Sequence, residues 1–403
     1  MSDASDDLAI PPGFRASGVR AGIKPSGGLD MAVLVADREC SAAGTFTTNR
    51  VAAASVHWDR ALVPSSSIRA VVINAGNANA ATGQLGLDNA RATAAGAAAV
   101  LGCRPDQVLV ASTGVIGHQL PMPRVEAGLR AAIDAATADA AGFRDASRAI
   151  LTTDTRPKVV SRREVIHGRA VHLLGLAKGA AMIGPKMATM LGFLLTDAHV
   201  APADLQRILS GAVEDSFNCI SVEGHMSTND TVLILAGGEP EGEGGPLVGA
   251  PLVEFAVLVR EACIDLARMI PDDGEGATHL ITIDVEGAWT RDDARAIARS
   301  VADSALVKTA IHGADPNWGR IVSAAGYAGV PFEERELSLW LNGIPLYRDG
   351  APLPFADAEV SANLRDNRAT HIRLVLAHGE ESVRFWTCDL TAEYIRLNAD
   401  YTT

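Results

Sequence analysis

One segment of the chain combines small residues, two lysines and a threonine directly before an apolar run. Residues 178–190 are KGAAMIGPKMATM, and the run TMLGFLLTDA (189–198) has the pattern of a buried strand. A threonine hydroxyl is a weak nucleophile unless a base lies beside it, and a free α-amine on the same residue can be that base. The reference pKa of an α-amine is about 7.7–8.0, so part of it is neutral near pH 7. The segment therefore has two interpretations: a chain cut before Thr189, which becomes the nucleophile, or an ordinary loop that enters a strand.

This segment resembles the self-cleaving segment of the ornithine acetyltransferase family, also called the bifunctional glutamate N-acetyltransferases of arginine biosynthesis. The family pattern is approximately KGxGMIxPNMATML. Nine further segments resemble the same family, in the family's order and over nearly the whole length. They are GFRASGVRAGIKPSGGLDMAVLVAD (13–37), TFTTNRV (45–51), VVINAGNANAATG (71–83), STGVIG (112–117), TTDTRPK (152–158), STNDTVL (227–233), DGEGATH (273–279), KTAIHGADPNWGRI (308–321) and NADYTT (398–403).

The resemblance implies that the chain cleaves itself at Ala188–Thr189, into an alpha fragment 1–188 and a beta fragment 189–403. Thr189 would then accept acetyl from N2-acetylornithine, release ornithine, and pass the acetyl group to glutamate. The family also implies a heterotetramer of two alpha and two beta fragments. Acetyl-CoA is a possible second acetyl donor, and no metal or prosthetic group is implied.

The resemblance also carries site residues over to matching positions. Thr113 and Gly114 match an oxyanion-hole pair, which is chemically sensible because a hydroxyl and a backbone N–H can converge on one oxyanion. The residues that match substrate contacts are Thr152, Lys178, Glu275, Asn398 and Thr403. Taken one at a time, each has a plainer interpretation as a turn, a solvated charge or a chain end. Asn317 and Trp318 in GADPNWGRI could help to build the site, but a tight turn with a packed indole is favoured slightly.

The elements that would position these residues alternate between strand and helix patterns. The expected strands are 31–36, 68–74, 107–113, 189–198, 231–236, 279–287, 337–343 and 382–390, and the expected helices are near 86–102, 123–139, 251–269 and 291–311, with one after Pro202. The predicted fold is α/β, with layered sheets and flanking helices, cleaved into two interlocked subunits. Charge divides at the same bond: residues 1–188 hold 20 Lys and Arg and 15 Asp and Glu (net +5), and residues 189–403 hold 15 and 33 (net −18).

Composition excludes several other classes of function. The net charge of −13 argues against nucleic-acid or anionic-membrane partners. Five scattered cysteines argue against a disulfide framework and a structural zinc site. The acidic, polar N-terminus resembles no signal peptide, and no apolar run reaches 18 residues, so we expect a cytoplasmic protein.

Two rival functions remain at the level of sequence. A self-cleaving aminopeptidase or amidase would share the N-terminal nucleophile, although the segments DTRPK, DGEGATH and NADYTT argue against it. An uncleaved, non-enzymatic homologue is the second rival. The residue that suggests it is Lys186, three residues before Thr189, where the family usually has asparagine.

Overall fold

The computed structural model describes residues 8–184, 190–238 and 245–400. Within these ranges, strands and helices alternate along the chain. The strands are β1 (Phe14–Val19), β2 (Met31–Phe46), β3 (Ser65–Asn77), β4 (Val108–Val115), β5 (Lys158–Ile166), β6 (Arg169–Lys178), β7 (Leu191–Thr196), β8 (Thr231–Ala236), β9 (Leu280–Ala288), β10 (Leu337–Leu341), β11 (Ile344–Arg348), β12 (Ala351–Pro352), β13 (Ala369–Leu376) and β14 (Glu381–Cys388). The helices are α1 (Ala54–Arg60), α2 (Gly83–Leu101), α3 (Met122–Asp134), α4 (Ala140–Ala149), α5 (Pro202–Glu214), α6 (Ala250–Asp272), α7 (Arg291–Asp303), α8 (Ala305–His312), α9 (Trp318–Gly326), α10 (Asp357–Asp366) and α11 (Ala392–Asp400).

The strands form two sheets. The larger has the order β4-β3-β2-β8-β7-β6-β5, and β1 pairs with the first part of β2; the smaller has the order β12-β11-β10-β13-β9-β14. In the larger sheet β7 and β8 run parallel, with Leu191 opposite Thr231. β6 runs antiparallel to β7 and places Lys178 opposite Leu191. The end of β6 therefore lies beside the start of β7.

Strands from both sides of the predicted cleavage bond share this larger sheet. β7 and β8, which follow Thr189 in the sequence, lie between β2 and β6, which precede it. Thr189 and Ala188 themselves lie outside the described residues. Because helices flank two sheets and strands from both halves share the larger one, the predicted α/β fold with layered sheets is confirmed. The cleavage into two subunits stays a prediction.

The middle of the larger sheet is covered on both faces. Leu194 and Ile234 pack in a core with α5, α6 and the smaller sheet. Phe193 and Leu235 point to the opposite face, where they pack in a core with α4. This double burial explains why β7 and β8 are continuous apolar runs rather than alternating ones. None of the helices in the described ranges is both long and apolar enough to cross a bilayer.

Two predicted helices differ from the observed ones. The helix expected over 123–139 ends at Asp134, because Thr137 instead exchanges backbone hydrogen bonds with Ala16 of β1. The helix expected over 291–311 is divided into α7 and α8 at Ser304. The Ser304 hydroxyl accepts the Val307 N–H and so begins a new helix, as serine commonly does at an N-cap.

Candidate active site

A pocket opens where the ends of β4 and β6 meet several loops and α11. Its lining includes six residues that the sequence predicts for the site, which are Thr113, Gly114, Thr152, Lys178, Glu275 and Asn398. Further lining residues come from three loops and include Thr153, Met182, Ser227, Thr228 and Asn229. The predicted residues Ala188, Thr189 and Thr403 lie outside the described residues. We call this cleft the candidate pocket.

Lys178 forms the basic end of the candidate pocket. It is the last residue of β6 and is only 2% exposed. Its ammonium donates to the Thr152 hydroxyl at 2.8 Å and to the Thr113 hydroxyl at 3.3 Å. Burial lowers the pKa of Lys178 below its usual range, and the nearby Asp154 carboxylate opposes that shift. Three residues predicted from separate segments are thus joined by hydrogen bonds.

The buried carboxylate of Asp154 stabilises this arrangement. Its carboxylate accepts the Gly179 N–H at 2.6 Å and the Thr152 N–H at 3.1 Å, and one oxygen lies 4.0 Å from the Lys178 ammonium. Lys158 donates to the same carboxylate at 2.7 Å. Burial alone would raise the pKa of Asp154, but the two lysines and the Gly179 N–H hold it at about 2. Asp154 is therefore an anion that fixes both Lys178 and Thr152.

Lys158 extends this network to a second loop. Its ammonium, which is fully buried, also donates to Asp273 at 2.6 Å, and Asp273 accepts the Thr155 N–H at 3.1 Å. Sequence reasoning missed three charged residues of this network, Asp154, Lys158 and Asp273. Each stands in a segment already singled out, TTDTRPK or DGEGATH, and the charges within those segments were the available signal.

The acidic end of the candidate pocket is formed by Glu275. Its side chain accepts the Asn398 amide N–H at 2.7 Å, and its backbone N–H donates to the Ala180 carbonyl at 3.0 Å. Asn398 lies on α11 and is exposed. The pocket therefore has a buried cation on one side and a carboxylate on the other. This pattern suits a ligand that carries both a carboxylate and an ammonium group.

Thr113 and Gly114 lie near the end of β4, opposite Ala75 and Gly76 of β3. Gly114 has a φ of +134°, and a Cβ atom there would lie 2.3 Å from the Gly76 carbonyl carbon, so only glycine fits. The amide of Asn229 fixes this strand end by donating to the carbonyls of Ala78 and Ser112 at 2.6 and 2.8 Å. Because the Thr113 hydroxyl accepts a hydrogen bond from Lys178, its own hydrogen can be directed to a ligand.

The chain is anchored on both sides of residues 185–189. Before them, the Ile183 N–H donates to Glu223 at 2.6 Å, and the Ile183 carbonyl accepts the N–H groups of Val222 and Gly224 at 2.9 and 3.1 Å. Burial raises the pKa of Glu223 to about 8. After them, the Met190 N–H donates to the Asp230 carboxyl at 3.0 Å. Residues on both sides of the predicted cleavage bond are thus held in place.

The GADPNWGRI segment does not reach the candidate pocket. Asn317 accepts the Arg320 N–H and begins α9, while the Trp318 ring stacks on Tyr347 at 5.4 Å between centroids. Both residues line a separate, shallow surface cleft. The tight turn with a packed indole is therefore the arrangement that forms.

A family model and many sequence relatives match this chain over nearly its whole length. The family model described as "ArgJ family" matches residues 15–403. The "Arginine biosynthesis bifunctional protein ArgJ" of Parasynechococcus marenigrum is 45% identical, over 99% of this chain and 96% of that protein. The protein of the same name from Symbiobacterium thermophilum is 45% identical, over 98% of each. The crystal structure of ArgJ from Bacillus halodurans is 37% identical, with a TM-score of 0.49, over 51% of this chain and 96% of that one. On the match of the family model and the identity to these relatives, the chain belongs to the ArgJ family.

Proposed function

We propose that this protein is an acyltransferase of arginine biosynthesis that transfers acetyl from N2-acetylornithine to glutamate, giving ornithine and N-acetylglutamate. Relatives of about 45% identity over nearly their whole length carry the name of a bifunctional arginine-biosynthesis protein. The observation that carries the proposal is the pairing of a buried lysine with a carboxylate across one pocket. Both substrates are amino acids, and such a pocket can bind their carboxylate and amino groups together.

In this proposal Lys178 and Thr152 bind the α-carboxylate of the substrate. Glu275, held by Asn398, binds the side-chain ammonium of the ornithine part. Lys178 is suited to its role because its charge is buried and already directed by Asp154. Thr403 is the remaining substrate contact implied by the family pattern.

The reaction would begin with self-cleavage of Ala188–Thr189, which frees the α-amine of Thr189 as a base. The Thr189 hydroxyl attacks the acetyl carbonyl of N2-acetylornithine while the α-amine accepts its proton. The negative charge that develops on the carbonyl oxygen is stabilised by the Thr113 hydroxyl and the Gly114 N–H. Ornithine leaves with a proton, and the amine of glutamate then attacks the acetyl-threonine ester.

The organisation of the protein follows from the same proposal. The fragments 1–188 and 189–403 would stay together after cleavage, since strands of both pair with one another in the larger sheet. Two copies of each would form a heterotetramer, in the cytoplasm. Acetyl-CoA would be a second donor, since the same nucleophile and oxyanion groups serve a thioester. No metal takes part in this chemistry.

The proposal is tested with the purified full chain. Intact mass and N-terminal sequencing should show two fragments, one of which begins at Thr189. Without glutamate, N2-acetylornithine should release about one ornithine per active site and leave the acetyl-enzyme. Continuous release should require glutamate and give the parallel double-reciprocal lines of a ping-pong mechanism. Release of acetate without glutamate would support the amidase alternative instead. A single chain that persists without acetyl transfer would overturn the proposal.

A further inference from the structure

Lys24 is a partly buried lysine that no step of the proposed reaction uses. It belongs to the loop between β1 and β2. Its ammonium donates to the Leu29 carbonyl within that loop at 2.6 Å and to the Ala149 carbonyl at 3.3 Å. Ala149 is the last residue of α4 and comes 125 residues later in the sequence. This one side chain therefore joins two distant parts of the chain.

The loop that carries Lys24 is fixed against the end of β3. The buried carboxylate of Asp30 accepts the Lys24 N–H at 2.8 Å, and the Asp30 carbonyl accepts the Ala75 N–H at 2.9 Å. Gly76, the next residue of β3, has a φ of +102°, and a Cβ atom there would lie 3.2 Å from the Lys24 nitrogen. Gly76 lies opposite Gly114 of β4. The backbone of Lys24 is therefore held at the strand end that supports the predicted oxyanion hole.

The other end of this connection leads directly to Thr152. The last carbonyls of a helix have no partner within the helix, and a lysine at that end can satisfy one of them and interact favourably with the helix dipole. Lys24 does so for Ala149. Only two residues separate Ala149 from Thr152, whose hydroxyl accepts the Lys178 ammonium at 2.8 Å. The position of that hydroxyl therefore depends on where α4 ends.

Electrostatic interactions indicate that the Lys24 ammonium lies near the basic end of the candidate pocket. Burial lowers the pKa of Lys24 below its usual range, the Asp30 carboxylate opposes this shift, and Lys178 adds to it. The Asp154 carboxylate, which accepts the Thr152 N–H, also acts on Lys24. The described residues that line the pocket do not include Lys24. Its action on a bound substrate is therefore indirect, through the residues that it holds.

We infer that Lys24 is a positioning residue for the substrate carboxylate: by joining the end of α4 to the loop on β3, it holds the Thr152 hydroxyl where that group and Lys178 bind the carboxylate together. This inference rests on the proposed function. Because the Thr152 hydroxyl accepts a hydrogen bond from Lys178, its own hydrogen can be directed to a carboxylate oxygen. A small shift of α4 would move that hydroxyl but leave the oxyanion-hole residues in place, since the pairing of β3 with β4 holds them.

Loss of Lys24 should therefore change substrate binding rather than the chemical step. N2-acetylornithine and glutamate would use one carboxylate site in turn, so KM should rise for both. An interaction made equally in the ground state and the transition state raises KM and leaves kcat unchanged when it is lost. A variant that is merely less stable behaves differently, because a smaller folded fraction lowers kcat and leaves KM unchanged. The two explanations thus give opposite patterns.

The chain offers a matched control in Arg124. Its guanidinium donates to the Gly22 carbonyl at 2.6 Å, so it also holds the loop between β1 and β2 by a hydrogen bond from a cation to a carbonyl. Arg124 is exposed and lies on α3. Lys24→Met and Arg124→Met therefore remove the same kind of contact from the same loop, but only Lys24 connects that loop to α4.

The experiment compares the purified full chain as wild type, Lys24→Met and Arg124→Met. Steady-state kinetics give kcat and KM, calorimetry gives the Kd of ornithine, and thermal melting checks folding. Lys24→Met should raise both KM values and the Kd of ornithine about tenfold, which is within the range for coupled neighbours, while kcat changes less than about twofold. Arg124→Met should resemble wild type in all of these constants.

A double-mutant cycle with Thr152→Val tests whether Lys24 acts through the Thr152 hydroxyl. In the Thr152→Val background, Lys24→Met should raise KM less than about twofold, because the group that it positions is absent. An equal effect in both backgrounds, a wild-type KM in Lys24→Met, or a fall in kcat at unchanged KM would overturn the inference and leave the proposed function intact. If Lys24→Met does not fold, Lys24→Gln, which is neutral but keeps a donor, replaces it under the same criteria. A wild type that neither transfers acetyl nor binds ornithine would instead overturn the proposed function.

Discussion

The ammonium of Lys158 lies 2.6 Å from the Asp273 carboxylate, across 115 residues of sequence. It also lies 2.7 Å from the Asp154 carboxylate. Asp154 in turn accepts the N–H of Gly179, the residue that follows Lys178. Asp273 belongs to the loop that carries Glu275, so this one lysine connects the basic end of the candidate pocket with the acidic end. The buried ionic network around Lys158 therefore joins the two ends of the pocket, in addition to the hydrogen bond from the Glu275 N–H to the Ala180 carbonyl.

Replacing Lys158 by Met should destabilise the protein strongly. The change leaves two buried carboxylates without their shared partner, and breaking a buried ion pair from one side typically costs about 3–5 kcal/mol. Urea unfolding should show this loss. Arg207→Met, which removes a surface partner of Asp204 one helical turn away, is the control and should shift the unfolding midpoint little. Equal midpoints in the two variants would contradict the role given to Lys158.

The local pattern of apolar residues predicted many of the strands and helices. TVLILA (231–236) forms β8 with the expected bounds, because both faces of that strand are buried and every residue after Thr231 in it is apolar. The helix after Pro202 follows from residues such as Leu205 and Leu209, which recur at helical spacing and are all buried. The burial of apolar residues at strand or helix spacing determines both elements. This spacing can be read from a single sequence, so both elements could be predicted.

Long-range pairing could not be predicted in the same way. The position of β7 and β8 between β2 and β6 depends on which strands meet, and no residue of β8 specifies that choice alone. The resemblance to a family identified the pocket residues, but it did not include Asp154, Lys158 and Asp273, which touch one another rather than a ligand. The roles of the pocket residues stay predictions, and the variants below test two of them.

Lys178→Met should weaken substrate binding and turnover together. A hydrogen bond to a charged group contributes about 1.5–3 kcal/mol, so kcat/KM for N2-acetylornithine should fall about 10- to 100-fold. Burial lowers the pKa of Lys178, so the wild-type lysine should lose its proton, and the enzyme its activity, at a lower alkaline pH than an exposed lysine would. Lys178→Arg keeps the charge and should shift that loss of activity to higher pH. Steady-state kinetics at several pH values would measure both effects, and unchanged kcat/KM in Lys178→Met would exclude a role in binding the substrate carboxylate.

Thr113→Val should lower kcat with little change in KM. The substitution keeps the shape of the side chain but removes a hydroxyl proposed to stabilise the oxyanion, and loss of one such donor typically costs about 10²–10³ in rate. Thr113→Ser retains the hydroxyl and is the matched control. Single-turnover release of ornithine reports this step directly. Equal rates in Thr113→Val and Thr113→Ser would show that the hydroxyl does not act on the transition state.

Glu223→Gln should change how stability depends on pH. Burial raises the pKa of Glu223 to about 8 in the folded protein, while the unfolded chain titrates near the ordinary value of 4.5. Between these values the unfolded state loses its proton first, so the wild type loses stability as pH rises, by about 1.4 kcal/mol for each unit of pH. Glutamine cannot ionise, and its amide oxygen can still accept the Ile183 N–H. The free energy of unfolding of Glu223→Gln relative to wild type should therefore increase from pH 5 to pH 8, as measured in urea. The same substitution at Glu164, an exposed residue of β5, should show no such increase. Parallel pH profiles for wild type and Glu223→Gln would mean that Glu223 is already ionised in the folded protein, and that Ile183 is held by a charged group.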